Sequence, residues 1–394
     1  MTPAARLAAA AEILDQVIEG TPAEKALTGW ARRSRFAGSK DRAAIRDHVF
    51  DALRCRRSFA ALGQGAAPES GRGLMLGLLR AAGQAPEAMF TGEGHAPKPL
   101  SEAEQGPFAL PEDAARDLDL PGWVWPLMQQ TLGDQARAAA EALRHRAPVH
   151  IRVNTARTSV AALQALLEAE GLKVAPVPLV ETALEVTGGA RRLQQLQAFE
   201  DGLFEMQDAA SQAICAAIPL APGARVLDYC AGGGGKTLAL GARGGLDLTA
   251  HDAAPARMKD LPARAARAGL SVQLASTSEL SRLGPFDLVL CDAPCSGSGA
   301  WRRAPEGKWL LTPERLDEVR AIQAQILDQA RDLVAPGGQL AYATCSLFAA
   351  ENGDQADAFL ARHGADWSEE ARLSLTPADG GDGFFLARFR RRAA

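Results

Sequence analysis

Residues 206–394 predict an α/β fold built on a doubly wound, mostly parallel sheet, and three observations predict it. Short β-rich runs recur from Ala224 onward: "RVLDYC", "LDLTAHD", "SVQLAS", "FDLVLCDAPC" and "QLAYATCS". Helical segments fit between them, notably Ala254–Ala268 and Pro313–Leu333. The second of these runs into "APGG", a helix stop signal. Strands alternating with helices build right-handed βαβ units, because a right-twisted strand feeds a helix back onto the sheet only one way. The tail "DGFFLARFRRR" is expected to close the sheet as an antiparallel edge strand.

The preceding residues divide into three segments. Residues 1–83 predict an all-α domain, with apolar stripes at helical spacing (Ile13, Leu14, Val17, Ile18, then Ile45, Val49, Ala52, Leu53) and no strand signal. Residues 84–121 are rich in Pro, Gly and acidic side chains and predict a linker, since such a composition buries little. Residues 122–205 predict a small helical and α+β subdomain: helix from Val124 to about Arg146, strand "VHIRVNT", helix Val160–Ala169, strands "LKVAPVP" and "ALEVTG". A helix around Ala209–Ile218 leads into the large sheet.

The net charge of −4 hides a local excess: Lys25 to Arg57 holds ten Lys or Arg against three Asp. Charge runs are usually solvated faces, yet an excess confined to one terminal region also suits a polyanion. Arg46, Arg54 and Arg57 lie beside the second apolar stripe and form its basic edge. Six cysteines without CxxC spacing and scattered histidines give a metal site no support and suit a reducing compartment. "MTPAARLAAAAEILDQVIEG" carries three acidic residues, unlike a signal peptide, and no apolar run is long enough for a membrane span, so a cytoplasmic protein is expected.

Three motifs fall at predicted strand ends, where ligands of such sheets bind: "DYCAGGGGKT", "CDAPCSGSGAWRRAPEGKW" and "YATCSLFAAEN". The first is not a P-loop, because Cys230 stands where the motif needs glycine five positions before Gly235. It also fails GxGxxG in every register. Asp252, about 20 residues on in "TAHD", is placed to accept ribose hydroxyls. Gly-rich turn and acid together suit an adenosine-bearing cofactor without a pyrophosphate, such as S-adenosylmethionine, although such turns also arise for steric reasons alone. Cys295 and Cys345 sit at neighbouring strand exits, with Asp292 three residues before Cys295. Two thiols and a carboxylate suit covalent addition to C6 of a cytosine, which makes C5 a nucleophile towards a methyl donor. Two packed structural thiols are the competing reading.

These motifs, with "RVNT" and "QDAASQ" upstream and "DGFFLAR" near the end, resemble the RsmB/Sun (Fmu) family of RNA cytosine-5 methyltransferases over about residues 120–390. "SKDRAAIRDHVFDALR" is similar to the NusB-like RNA-binding domain of that family's bacterial branch. The resemblance implies a Rossmann-like S-adenosylmethionine-dependent methyltransferase domain acting on RNA, 16S ribosomal RNA first and tRNA next, as a monomer without metal. It implies Cys345 as nucleophile, Cys295 in release, and Asp292 and Lys236 beside the base. It places the cofactor against Cys230, Ala231, Gly232, Gly233, Gly234, Gly235, Lys236, Asp252, Arg257, Ser276, Asp292 and Pro294. Arg302 or Arg303 would hold RNA phosphate, or pair with a nearby carboxylate.

Two departures from the family pattern stand out. Gly233 replaces a proline and Gly232 an alanine, so a looser loop and weaker cofactor binding are expected. The third strand ends in Ser276, Thr277 and Ser278 without an aspartate. A catalytically silent RNA-binding assembly factor is the alternative in another class, against which the joint presence of Cys295, Cys345, Asp292 and Lys236 speaks. A P-loop ATPase is the third reading, with Asp292 as its acid and Cys230 against it.

Overall fold

The computed structural model describes residues 1–394 except 66, 107, 111, 114, 115, 117 and 394. The chain forms two compact units, Met1–Arg146 with Trp301–Leu310, and Ala147–Ala300 with Leu311–Ala394. The sequence expectation placed divisions at 83, 121 and 205.

The first unit is helical, as its 3.6-residue periodicity requires: α1 (Pro3–Ile18), α2 (Ala23–Arg33), α3 (Ser39–Arg54), α4 (Arg56–Gln64), α5 (Gly71–Ala81), α6 (Val124–Leu132) and α7 (Ala136–Ala142). Ile13, Leu14, Ile45, Val49, Leu53, Leu74, Met75 and Leu76 fill one core. Helices α4 and α5 approach backbone to backbone, and a Cβ on Gly77 would stand 1.9 Å from the Phe59 carbonyl oxygen. Residues 84–121 are not a free linker. Phe90, Leu118 and Leu120 are buried, Arg72 pairs with Glu104 at 2.7 Å, and buried Asp119 accepts from Ser58 Oγ (2.8 Å) and Arg144 Nε (2.9 Å). The segment Trp301–Leu310 belongs here although both its flanks belong to the other unit. Lys308 Nζ donates to the Arg54 carbonyl (2.6 Å) and Trp309 Nε1 to that of Leu53 (2.7 Å). Those are carbonyls of the last turn of α3, which has no intrahelical donor for them.

The second unit holds two sheets. The smaller is antiparallel, in the order β2-β3-β1-β4. Its strands are β1 (His150–Val153), β2 (Lys173–Pro176), β3 (Ala183–Gly188) and β4 (Phe204–Met206), with helix α8 (Val160–Ala169) beside them. Strand β4, three residues long, was not foreseen. Helix α9 (Ala209–Ala216) follows, its first turn capped by Asp208, which accepts from Ala210 N.

The large sheet runs β10-β11-β9-β8-β5-β6-β7. Strands β5 (Arg225–Asp228), β6 (Asp247–Ala250), β7 (Gln273–Leu274), β8 (Phe286–Asp292) and β9 (Val334–Thr344) are parallel. Helices α10 (Gly235–Gly241), α11 (Leu261–Ala268), α12 (Pro313–Ala330) and α13 (Gly353–His363) make the crossovers. The chain begins at β5, builds outward through β6 and β7, and then starts again on the other side of β5 with β8. Such a reversal opens a crevice at the carboxyl ends of β5 and β8. The tail corrects one expectation. Strand β11 (Phe384–Arg391) is antiparallel but lies inside the sheet, between β9 and β10 (Trp367–Leu375), and β10 is the edge. The predicted helix Ala254–Ala268 is a 3-10 turn, Pro255–Met258, followed by α11. Among the described residues, no helix is long and apolar enough to cross a membrane.

Candidate active site

The crevice is built from the ends of four parallel strands. At the end of β5, Asp228 is 1% exposed. Its Oδ2 accepts from Thr237 Oγ1 at 2.7 Å, which pins the glycine turn to the helix that follows it. Its Oδ1 has no partner, and burial raises its pKa to about 6. For an acid whose folded pKa lies above its unfolded value, the cost of ionisation is absent below the unfolded pKa and complete above the folded one, here between about 4 and 6. Asp228→Asn therefore gains stability relative to wild type by roughly 1–2 kcal/mol more at pH 8 than at pH 5. Urea midpoints at the two pH values measure this, and an equal difference at both would refute it.

Gly234 has φ +79°, and a Cβ there would stand 2.1 Å from Leu261 Cδ1, so glycine is required. Gly232 N donates to Asp252 Oδ2 at 3.0 Å. Asp252, at the exit of β6 and 4% exposed, also accepts from Ala254 N (2.9 Å) and pairs with Arg257 at 3.0 Å. His251 bridges neighbouring strand exits, Nδ1 to the Tyr229 carbonyl (2.8 Å) and Nε2 to Thr277 Oγ1 (2.9 Å). Ser276 is exposed and bonds its own turn through Glu279, 2.6 Å away.

The looseness expected at Gly233 meets a counterweight. Gly233 itself has no positive φ. Its carbonyl accepts from Arg264 NH1, and Arg264 is held by buried Glu205 of β4 at 3.0 Å. Gln207 Nε2 reaches the Gly235 carbonyl at 3.2 Å, while Arg152 Nε donates to Gln207 Oε1 at 2.7 Å. The "RVNT" and "QDAASQ" motifs thus act as scaffolding that fastens the small sheet to the turn. Sequence reading missed Glu205 and Arg264, which no local pattern marks.

At the ends of β8 and β9 the two thiols meet, Cys295 Sγ to Cys345 Sγ 3.3 Å. Lys236 Nζ lies 2.5 Å from Asp292 Oδ2 and 4.9 Å from the centre of the Phe384 ring. Burial works to lower the Lys236 pKa, but the adjacent Asp292 charge outweighs it and holds the ammonium above the ordinary lysine range. The Cys295 thiol is pushed well up by its hydrogen bond to the Cys345 sulfur, then by burial and by the Glu351 charge. Cys215 and Cys291 are buried, and burial raises both thiols. Cys230, half-buried in the turn, is likewise raised by burial. The structure brings Cys295, Cys345, Asp292 and Lys236 together. Among the described residues it places no metal-binding cluster of His, Cys, Asp and Glu.

The arginines expected to meet RNA have other surroundings. Arg54 is buried and donates to the Arg302 carbonyl (2.8 Å) and to Asp51 (2.7 Å). Arg302 is 5% exposed. Arg57 donates to the Leu120 carbonyl (2.7 Å) and to Asp113 (3.2 Å). Arg46 is exposed and paired with Glu24, and Arg303 is exposed. Arg54, Arg57 and Arg302 thus serve packing within the helical unit, while Arg32, Arg35 and Lys40 carry the basic excess to the surface.

A doubly wound sheet with a glycine turn and an acid at the next strand exit defines a nucleoside-binding α/β domain of the Rossmann-like methyltransferase kind. Comparison with known proteins carries this further. The family described as "16S rRNA methyltransferase RsmB/F" matches residues 216–390, and "Methyltr_RsmF/B-like, ferredoxin-like domain" matches residues 120–191. The ribosomal RNA small subunit methyltransferase B of Xylella fastidiosa is 35% identical over 69% of this chain and 67% of its own length. That of Vibrio cholerae is 33% identical over 68% of this chain and 64% of its own. A methyltransferase homolog protein from Pyrococcus horikoshii superposes with a TM-score of 0.61 at 26% identity, covering 71% of this chain and 98% of its own. The chain belongs to the RsmB/F methyltransferase family.

Proposed function

We propose that the protein methylates C5 of a cytosine in 16S ribosomal RNA, using S-adenosylmethionine and a covalent adduct at C6. The observation that carries this reading is the 3.3 Å approach of Cys295 and Cys345 beside the Lys236–Asp292 pair, at the strand ends where such sheets bind ligands. The names of the relatives supply the RNA.

The glycine turn and the carboxylate of Asp252 fit the cofactor. Gly232 and Gly234, both at positive φ, hold a turn with no side chain to crowd a ligand, and Asp252 is a buried acid at the exit of the next strand. Bound there, S-adenosylmethionine supplies an electrophilic methyl group. Cys345 Sγ adds to C6 as its thiol proton passes to ring N3, which leaves C5 enamine-like and nucleophilic. Asp292, paired with Lys236, accepts a hydrogen bond from that N3–H. After methyl transfer the Cys295 thiolate, its own proton released to solvent, takes the C5 proton, the C5–C6 double bond re-forms, and Cys345 leaves as N3 returns its proton to that sulfur. The target base must be unpaired or flipped to expose C6.

The direct test is methyl transfer from labelled S-adenosylmethionine to 16S ribosomal RNA, followed by nuclease digestion and chromatography of the nucleosides. 5-Methylcytidine is expected, and label in any other nucleoside overturns the reading. The clamp on the turn makes a further prediction. Arg264→Ala weakens binding of S-adenosylhomocysteine about tenfold, as expected for loss of one charge-assisted hydrogen bond. Calorimetric titration measures it, and an unchanged affinity excludes a role for Arg264 in shaping the turn.

A further inference from the structure

The two thiols are carried by separate loops, one after β8 and one after β9, and nothing in either loop alone fixes their approach. Glu351, fully buried, lies between these loops. Its Oε1 accepts from Ser296 N (2.7 Å) and Gln323 Nε2 (3.0 Å). Its Oε2 accepts from the hydroxyls of Ser296 and Ser346. Ser296 follows Cys295 and Ser346 follows Cys345, so one carboxylate grips the residue next to each thiol. Gln323 of α12 also donates to the Pro294 carbonyl (3.0 Å), just before Cys295. Glu351 is fixed in turn, since its own carbonyl accepts from Tyr342 Oη of β9 at 2.6 Å. Other ties join the same loops: Gly299 N to the Cys345 carbonyl at 2.9 Å, Leu347 N to Ser298 Oγ at 2.7 Å, and Ser346 Oγ to Ser296 Oγ and Ser298 Oγ at 3.3 and 3.2 Å.

We propose that Glu351 is a positioning residue whose buried carboxylate clamps the two thiol-bearing loops and so sets the Cys295–Cys345 approach. The proposal builds on the covalent reading above, in which both thiols must reach one ring. Burying a carboxylate is costly unless every lone pair is used, and here four donors from three segments converge on it. The serines of "PCSGS" and "TCS" are thereby explained as the handles of the clamp.

Phenylarsine oxide reads thiol spacing without RNA or cofactor. The arsenic condenses with two thiols, forming two As–S bonds and releasing its oxygen with both thiol protons as water. Wild type is expected to take one equivalent across Cys295 and Cys345, located by peptide mapping. Glu351→Ala is expected to bind it about 10- to 100-fold more weakly and to lose kcat on RNA by a similar factor at unchanged KM. Glu351→Gln should restore both to near wild type, because its carbonyl still accepts from Ser296 N and Gln323 while its amide donates to the serine hydroxyls. If Glu351→Ala does not fold, the double variant Ser296→Ala/Ser346→Ala carries the same expectation. A folded Glu351→Ala or double-serine variant that binds the arsenical like wild type overturns the proposal. So does a Glu351→Gln variant as weak as Glu351→Ala. Failure of the cytosine-5 chemistry leaves the arsenical result standing, so the two readings fail separately.

Discussion

Cys295→Ala protein, incubated with 16S ribosomal RNA and S-adenosylmethionine, is expected to accumulate a protein–RNA adduct that survives denaturing electrophoresis, whereas Cys345→Ala is expected to accumulate none. Without the Cys295 thiol the C5 proton stays in place and Cys345 cannot leave, so the thioether persists. Without Cys345 no bond to C6 forms, and methyl transfer falls by about 10⁴-fold or more, the scale seen when an enzyme loses its nucleophile. The 3.3 Å contact makes the two thiols near-equivalent in position, so the experiment must distinguish their roles. Their hydrogen bond already does so in part, since it is the largest cause that keeps the proton on Cys295. An adduct with Cys345→Ala and none with Cys295→Ala would reverse the assignment. Wild-type methylation by Cys345→Ala would end the covalent reading altogether.

The residues proposed to carry the chemistry were legible because each lies in a short motif at a strand exit, and alternating strands and helices announce where those exits are. Their supports were not. Glu205 is 59 positions from Arg264, Arg264 is 31 from Gly233, and Ser296 is 55 from Glu351. Such pairings depend on tertiary neighbours that no local period encodes. The order of strands shows the same limit. The tail read correctly as an antiparallel strand, yet its interior place depends on β10, whose alternate exposure along Trp367–Leu375 is that of an edge and was passed over. The basic edge of α3 misled for a related reason. Arginines that flank an apolar stripe are the ones drawn into packing, and Arg54, only 6% exposed, shows it.

Asp292→Asn is expected to lower kcat by about 10²- to 10⁴-fold, the usual worth of a positioned acid–base group, and to destabilise the fold as well. Lys236 is 8% exposed, so losing Asp292 leaves an ammonium buried without its counter-charge. A fully buried pair broken in this way costs about 3–5 kcal/mol. The Asp292 side chain is 32% exposed, which screens the pair and reduces the expected loss to roughly 1–3 kcal/mol. The pH dependence separates the two proteins. In wild type the Lys236 pKa is raised, so its contribution is complete below the unfolded lysine value of about 10.4 and flat from pH 6 to 9. In Asp292→Asn the strongest opposing charge is gone, so burial dominates and depresses that pKa. The penalty of the charged form is then relieved as pH rises through the depressed value, and the variant gains stability towards pH 9. The double variant Lys236→Met/Asp292→Asn removes the buried charge, so it should regain most of the stability and none of the activity. Denaturant titrations at pH 7 and 9, with single-turnover methylation of the same proteins, check each part. Asp292→Asn with wild-type kcat would remove Asp292 from the reaction, and recovery of activity in the double variant would mean that the pair matters only for folding.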